Sequence, residues 1–161
     1  MTRFAAVAAR ATDALAIGLF VAMFACVLAQ VVFRYFLGSP LTWSDELARY
    51  LFVWCAFLGW VIAARRRSHL AVTVGRDRMP ARAQAALALV GALAALAFAA
   101  VLAFHGVRIA ERNWDVETTA LAISMGAVYA IVPLAALAVG LHALADAAAA
   151  WSAWRYGGAR R

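Results

Sequence analysis

Four charged side chains crowd a short stretch between two apolar segments, and their types and spacing allow specific ionic contacts. Arg34 ends the first apolar segment, and Asp45, Glu46 and Arg49 open the second. At the start of a helix, the two carboxylates would be favoured by the positive end of the helix dipole. Arg49 follows Asp45 by four residues and Glu46 by three, so it can pair with either carboxylate on one helix face.

These charges belong to a polar connector, residues 34–49, whose last part is predicted to begin a helix. The Gly-Ser-Pro sequence at 38–40 breaks one helix before the next begins. Thr42 or Ser44 is expected to cap the free backbone N–H groups of the second helix. The charges either cap that helix and reach into water, or some of them also fix the connector against another helix or protein. The candidate interface residues are Arg34, Trp43, Asp45, Glu46 and Arg49.

Histidines and cysteines are the other residues that could bind a cofactor, and their positions argue against it. His105 lies near the outer end of the third apolar run and His142 near the inner end of the fourth, too far apart to be two ligands of one haem. Cys26 and Cys55 lie inside apolar runs and are interpreted as small buried or lipid-facing side chains. His69 is interpreted as a surface residue. With no phosphate loop, nucleophile elbow or zinc spacing, the sequence predicts no catalytic residue, metal site or cofactor, and no enzyme.

The chain as a whole is too apolar for an ordinary soluble domain. Of its 161 residues, 67% are hydrophobic and 14% are charged, whereas soluble domains carry roughly 25% charged residues. Its length predicts a single membrane domain, residues 1–161. All fifteen basic residues are arginines that cluster beside apolar runs, so membrane topology explains the positive charge better than nucleic-acid binding does.

Four apolar runs predict an all-α integral membrane protein with four transmembrane helices. A helix over 43–64 would be about 33 Å long, which matches a hydrocarbon core of about 30 Å. The first run is longer than the apolar region of a secretory signal and is expected to stay in the membrane. A short polar helix start is expected on the periplasmic side between the first two helices. The predicted helices cover about residues 13–34, 43–64, 83–107 and 118–145.

The distribution of arginines predicts the orientation of these helices. Eleven of the fifteen lie in the N-terminal residues, in the 65–82 loop or in the C-terminal tail, and four lie on the opposite side of the predicted helices. Because loops rich in arginine stay in the cytoplasm, both termini are expected there, with the connector on the periplasmic side.

Within the apolar runs, small residues recur and acids are absent. Gly91, Ala95, Ala99 and Ala103 repeat every four residues in the third run, a spacing that lets membrane helices approach closely. The alternative is simply an alanine-rich helix. Ion-coupled carriers usually hold ions and substrates with acids or histidines near the midplane, or with broken helices there. The chain alone is therefore expected to be a poor transporter.

A set of motifs between Val32 and Val72 carries a family resemblance. The motifs are Arg34-Tyr35, Ser39-Pro40, the sequence WSDELARY at 43–50, Phe57-Leu58-Gly59, and Arg65 to His69 before an apolar pair. Together they resemble the small membrane subunit (DctQ-type) of tripartite ATP-independent periplasmic, or TRAP, transporters. One position differs, because Thr73 stands where the family often has an acid.

The resemblance implies a location and two partners. A bacterial inner-membrane scaffold subunit is expected to pack against a large membrane subunit that carries the substrate and sodium sites. A periplasmic substrate-binding protein is expected to deliver an organic anion, often a carboxylate. Two other hypotheses stay open. One is a membrane anchor for a redox enzyme, and the other is a small structural membrane protein such as the small subunit of another tripartite carboxylate carrier.

Overall fold

The computed structural model describes residues 3–66 and 79–156, and these residues are almost entirely helical. His69, Thr73 and most of the 65–82 loop, about which the sequence raised expectations, lie outside the described ranges. The described residues contain no strand, only an isolated β-bridge between Glu117 and Ser124. The helices are α1 (Arg3–Tyr35), α2 (Ser44–Arg65), α3 (Ala81–Arg112), α4 (Met125–Tyr129) and α5 (Ile131–Tyr156).

Four stretches within the described residues are long and apolar enough to cross a membrane. The shortest has 22 residues, or about 33 Å at 1.5 Å per residue, enough for a hydrocarbon core of about 30 Å. The all-α fold with four membrane-spanning helices is therefore confirmed. The stretches are Ala6–Tyr35, Ser44–Arg65, Ala81–Arg112 and Met125–Arg155.

The fourth span begins and ends later than the predicted range of 118–145. Residues 118–124 form a turn instead of helix, and the first helical residue is Met125. At the other end, α5 continues past Asp146 to Tyr156. Alanine has the highest helix propensity of all residues, so a single acid among alanines does not end a helix.

The four spans lie in a row rather than in a closed square. The main contacts of α1 are with α2, those of α2 continue to α5, and α5 packs along α3. Burial agrees with this order, since 39% of the most apolar window of the fourth span is buried and none of that of α1 is. We call the end where α1 finishes and α2 begins the connector end, and the end where α2 finishes and α3 begins the arginine end.

The contact between α3 and α5 follows a seven-residue repeat of small side chains. The buried residues Ala85, Ala92, Ala99 and Gly106 succeed one another at intervals of seven along α3. On α5, the buried positions 136, 143 and 150 keep the same interval and are all alanine. A seven-residue repeat, which is two turns of 3.5 residues each, keeps one face of a helix towards its neighbour, as in left-handed coiled coils. Small side chains on that face let the two backbones approach.

The four-residue stripe predicted on this helix coincides with the contact at one position. Ala99 is buried, Ala95 and Ala103 are half-buried, and Gly91 is exposed with no atom within 4 Å of a Cβ built on it. Four residues turn a helix of 3.6 residues per turn by about 40° beyond a full rotation, whereas seven residues fall short of two rotations by only about 20°. The four-residue stripe therefore winds away from α5, whereas the seven-residue series remains in contact with α5.

The break between α4 and α5 is caused by Pro133, and two glycines let the broken span approach α3. Proline has no N–H to donate to the carbonyl four residues earlier, so the helix is interrupted at Ala130. A Cβ on Gly106 would lie 3.0 Å from the ring of Pro133. One on Gly126 would lie 2.6 Å from the carbonyl oxygen of Ala110. The broken fourth span therefore lies directly against the last turns of α3.

Candidate functional site

Glu46, in the first turn of α2, binds the loop between α3 and α4. Its carboxylate accepts hydrogen bonds from the backbone N–H groups of Thr119 at 3.2 Å, Ala120 at 2.7 Å and Leu121 at 3.2 Å. It also accepts one from the Tyr50 hydroxyl at 2.6 Å. These four donors match the roughly four lone-pair positions that a carboxylate offers. Successive N–H groups turned towards one anion form the backbone concavity known as a nest.

The loop that Glu46 binds is held in shape by its own hydrogen bonds. The buried Thr118 accepts a hydrogen bond on its hydroxyl from the N–H of Ile123 at 3.1 Å. The Ser124 hydroxyl donates to the carbonyl of Trp114 at 2.6 Å. Ala122 has a φ of 50°, a left-handed conformation that is uncommon outside glycine and that marks a tight turn. The loop is therefore a defined structure into which the carboxylate of α2 fits.

Asp45 connects α2 to α1 at the same end of the molecule. Its carboxylate accepts a hydrogen bond from the side-chain amide of Gln30 at 2.6 Å. Nearby, the thiol of Cys26 lies 3.4 Å from the carbonyl oxygen of Ser44. Asp45 and Glu46 therefore join three parts of the chain, namely α1, the start of α2 and the loop before α4.

The expected side-chain cap of α2 is not formed, and this part of the prediction is wrong. The N-cap position is Trp43, with no capping hydrogen bond from a side chain. Ser44 is already helical and fully buried, and its hydroxyl donates to the carbonyl of Leu41 at 2.6 Å. Thr42 is exposed. A cap requires the N-cap residue in an extended conformation, but Trp43 is helical, with φ −80° and ψ −19°.

The expected pairing of Arg49 with Asp45 or Glu46 is also absent. Among the described residues, neither acid of the connector pairs with Arg49, whereas Asp13 pairs with Arg65 and Arg66 at the opposite end of the molecule. The two acids of the connector turn towards an amide, a hydroxyl and backbone N–H groups, which leaves the guanidinium of Arg49 exposed.

The five candidate interface residues therefore divide into two groups. The carboxylates of Asp45 and Glu46 accept hydrogen bonds from other parts of the same chain. Arg34, Trp43 and Arg49 are exposed at the connector end, and neither arginine has an ion-pair partner within residues 3–66 and 79–156. Sequence reasoning missed the loop at 119–121, because no charged side chain marks it.

The second contact that sequence reasoning missed joins α1 to the end of α2 at the arginine end. The guanidinium of Arg65 lies 2.5 Å from a carboxylate oxygen of Asp13 and donates to the carbonyl of Ala9 at 2.8 Å. Arg66 lies 3.5 Å from the other oxygen of Asp13. The sequence signal was present, since Asp13 is the only acid before the first apolar run and the arginine cluster follows the second.

The histidines and cysteines are dispersed over the described structure. His105 lies on α3 and is exposed, His142 lies on α5 and is half-buried, and Cys26 and Cys55 are free thiols on α1 and α2. Within residues 3–66 and 79–156, no group of three His, Cys, Asp or Glu residues could hold a metal ion.

Comparison with known proteins finds relatives over most of the chain. The family model described as "Tripartite ATP-independent periplasmic transporters, DctQ component" matches residues 23–153. The sialic acid TRAP transporter small permease protein SiaQ of Vibrio cholerae is 33% identical over 112 residues, which cover 70% of this chain and 65% of that protein. The resemblance seen in the connector motifs is therefore confirmed.

Two further relatives match shorter parts of the chain. The C4-dicarboxylate TRAP transporter small permease protein DctQ of Vibrio cholerae is 30% identical over 98 residues, which cover 58% of this chain and 42% of that protein. The sialic acid TRAP transporter permease protein SiaT of Haemophilus influenzae is 40% identical over 62 residues, covering 38% of this chain and 10% of that protein. In all three matches, the chain spans less than two thirds of the relative's length.

Proposed function

This chain belongs to the family of DctQ components of the tripartite ATP-independent periplasmic (TRAP) transporters. From this premise, we propose that it is a scaffold for a larger transport subunit. It is a multi-pass inner-membrane protein with four spans. In the proposed role it holds the large permease subunit in the bilayer and contributes part of the surface on which a periplasmic binding protein docks. The redox-anchor reading and that of another carboxylate carrier are set aside, because the family match extends over residues 23–153.

The proposed scaffold role is supported above all by the structure of the connector end. Glu46 ties the start of α2 to the loop at 119–121, and Asp45 ties it to α1, so this end is cross-linked by hydrogen bonds. The exposed Arg34, Trp43 and Arg49 project from this cross-linked base. A fixed base reduces the ordering cost of binding, and arginine and tryptophan are enriched among residues that dominate interfaces.

The imported compound is proposed to be an organic anion, taken up together with sodium. Relatives of this chain are named for sialic acid and for C4-dicarboxylates, and both names denote acids. The substrate and sodium sites are assigned to the large subunit, since no acid lies within the apolar runs of this chain. Sodium-dependent uptake of radiolabelled sialic acid or succinate by the reconstituted complex would test this part.

The scaffold role is tested by the change Arg49→Ala. We expect co-purification of the large permease subunit, measured per inserted copy of this chain, to fall by roughly tenfold, as for a charge-assisted contact at the centre of an interface. The matched control is Arg82→Ala, another exposed arginine, which lies at the arginine end. It should stay near wild type, since surface substitutions usually change stability by less than about 0.5 kcal/mol. Equal, near-wild-type recovery for both variants would rule out an interface role for Arg49.

A further inference from the structure

A shallow groove runs between α1 and α2, and charged side chains line one end of it. Its volume is about 260 Å³. Ile17 and Phe20 of α1 and Ile62 of α2 form apolar walls, and Asp13 and Arg66 lie at its end. Ile17 and Phe20 are more than half exposed, so the groove opens sideways towards the bilayer. It is therefore an apolar groove along the spans that ends at a charged group near the membrane surface.

The charges at the end of the groove leave a net positive group. Arg65 is largely buried and is engaged by Asp13 at 2.5 Å and by the Ala9 carbonyl at 2.8 Å. Arg66 shares the same carboxylate at 3.5 Å, but its side chain is 63% exposed. Two guanidinium groups thus share one carboxylate, and the exposed Arg10 lies one helical turn before Asp13. Among the described residues, the positive charge that is not neutralised is carried by Arg66, at the mouth of the groove.

We propose that the groove holds one acyl chain of an anionic phospholipid whose phosphate binds Arg66. α2 ends at Arg65, so Arg66 lies at the depth of lipid headgroups, and arginine's planar guanidinium matches the oxygens of a phosphate. A cavity of about 260 Å³ is below the roughly 300–1,000 Å³ of pockets that enclose a whole small molecule. It suits a segment of one chain lying along it. Basic pockets between membrane helices bind anionic lipid headgroups for the same reason.

A lipid fits this groove because it uses both the apolar walls and the charged end. A free phosphate would occupy the charged end and leave the apolar walls unused. A zwitterionic lipid also carries a phosphate, but its ammonium group offsets the attraction to the net positive charge around Arg66. The inference rests on the membrane location and on this geometry. It does not depend on the role in transport.

The test uses full-length chain in nanodiscs that contain phosphatidylglycerol or phosphatidylcholine with a photoreactive acyl chain. Labelling of peptides covering 13–20 and 55–66 is quantified by mass spectrometry. We expect phosphatidylglycerol to label them about fivefold more than phosphatidylcholine, the preference that one basic side chain gives for an anionic lipid. Arg66→Gln should lower this preference to near unity, and Arg66→Lys should keep most of it. Arg82→Gln, the matched loss of one exposed arginine at the same end, should leave it unchanged.

Three outcomes would overturn the lipid site. Equal labelling by the two lipids in the wild-type chain would show that charge does not select the occupant. An unchanged preference in Arg66→Gln, with the variant eluting as the folded species on size exclusion, would remove Arg66 from the site. Loss of labelling when the large subunit is co-reconstituted would show that protein rather than lipid covers the groove in the complex.

Discussion

At the scale of single residues, the two acids of the connector act as acceptors for uncharged donors. The carboxylate of Glu46 receives three backbone N–H groups and the Tyr50 hydroxyl. Hydrogen bonds to an ionised acceptor are roughly twice as strong as those between neutral groups. Arg49, which the spacing paired with these acids, is thereby left exposed.

Glu46→Gln tests whether that carboxylate orders the loop. The amide keeps the size of the side chain, but it loses the charge and replaces one acceptor oxygen by a donor group that faces N–H groups. We expect hydrogen exchange of the amides of 119–121 to become roughly tenfold faster, as for a charged acceptor replaced by a neutral one. Asp45→Asn is the control, since its partner is Gln30. Unchanged exchange at 119–121 in Glu46→Gln would show that the loop holds its shape without the carboxylate.

At the scale of elements, the contact between α3 and the broken fourth span depends on residues without a side chain. Gly126 lets α4 lie against the end of α3, and Gly106 admits the ring of Pro133. Membrane helices gain no hydrophobic driving force from packing against each other, so the closeness of the backbones contributes directly to their association. These glycines therefore set the position of α4 and hence of the loop that binds Glu46.

Gly126→Ala should destabilise the protein, and Gly91→Ala should not. The Cβ of the first would lie 2.6 Å from the Ala110 carbonyl oxygen and 2.7 Å from the Trp114 Cα, so backbone must move, at a cost of about 1–3 kcal/mol. The second meets no atom within 4 Å and can gain up to ~1 kcal/mol from helix propensity. Thermal unfolding in detergent measures both. A midpoint for Gly126→Ala equal to that of Gly91→Ala would contradict the close contact.

At the scale of the whole molecule, the row of spans has two broad apolar faces and two unlike ends. Large apolar side chains along α1 are exposed, among them Phe20, Phe24 and Leu28, as expected where lipid or a membrane partner replaces water. The arginine end holds the excess of positive charge, so the positive-inside rule predicts that this end lies in the cytoplasm and the connector end in the periplasm.

Single cysteines in a variant lacking Cys26 and Cys55 test this orientation. Ser39 and Asp115 are exposed at the connector end, and Met79 is exposed just before α3. We expect cysteines at positions 39 and 115 to react with an impermeant thiol reagent in intact spheroplasts. A cysteine at position 79 should react only after permeabilisation. Labelling of position 79 from outside would contradict the predicted orientation.

The sequence by itself determined the number of spans and their approximate positions, because bilayer thickness sets the length of an apolar helix. It also predicted the connector as the distinctive segment, through the types and spacing of Asp45, Glu46 and Arg49. The tertiary structure decided the partners of those charges. Glu46 bonds to backbone N–H groups up to 75 residues away in the chain, and no residue type marks a backbone donor.

The α3–α5 contact was likewise decided by tertiary structure, because α3 has alanine on every side. With alanine at 92, 94, 95, 97, 99, 100 and 103, several small-residue periods fit the same helix. Only the partner helix selects among them, and α5 selects the seven-residue series through Ala99 because that series stays on one face along the whole contact.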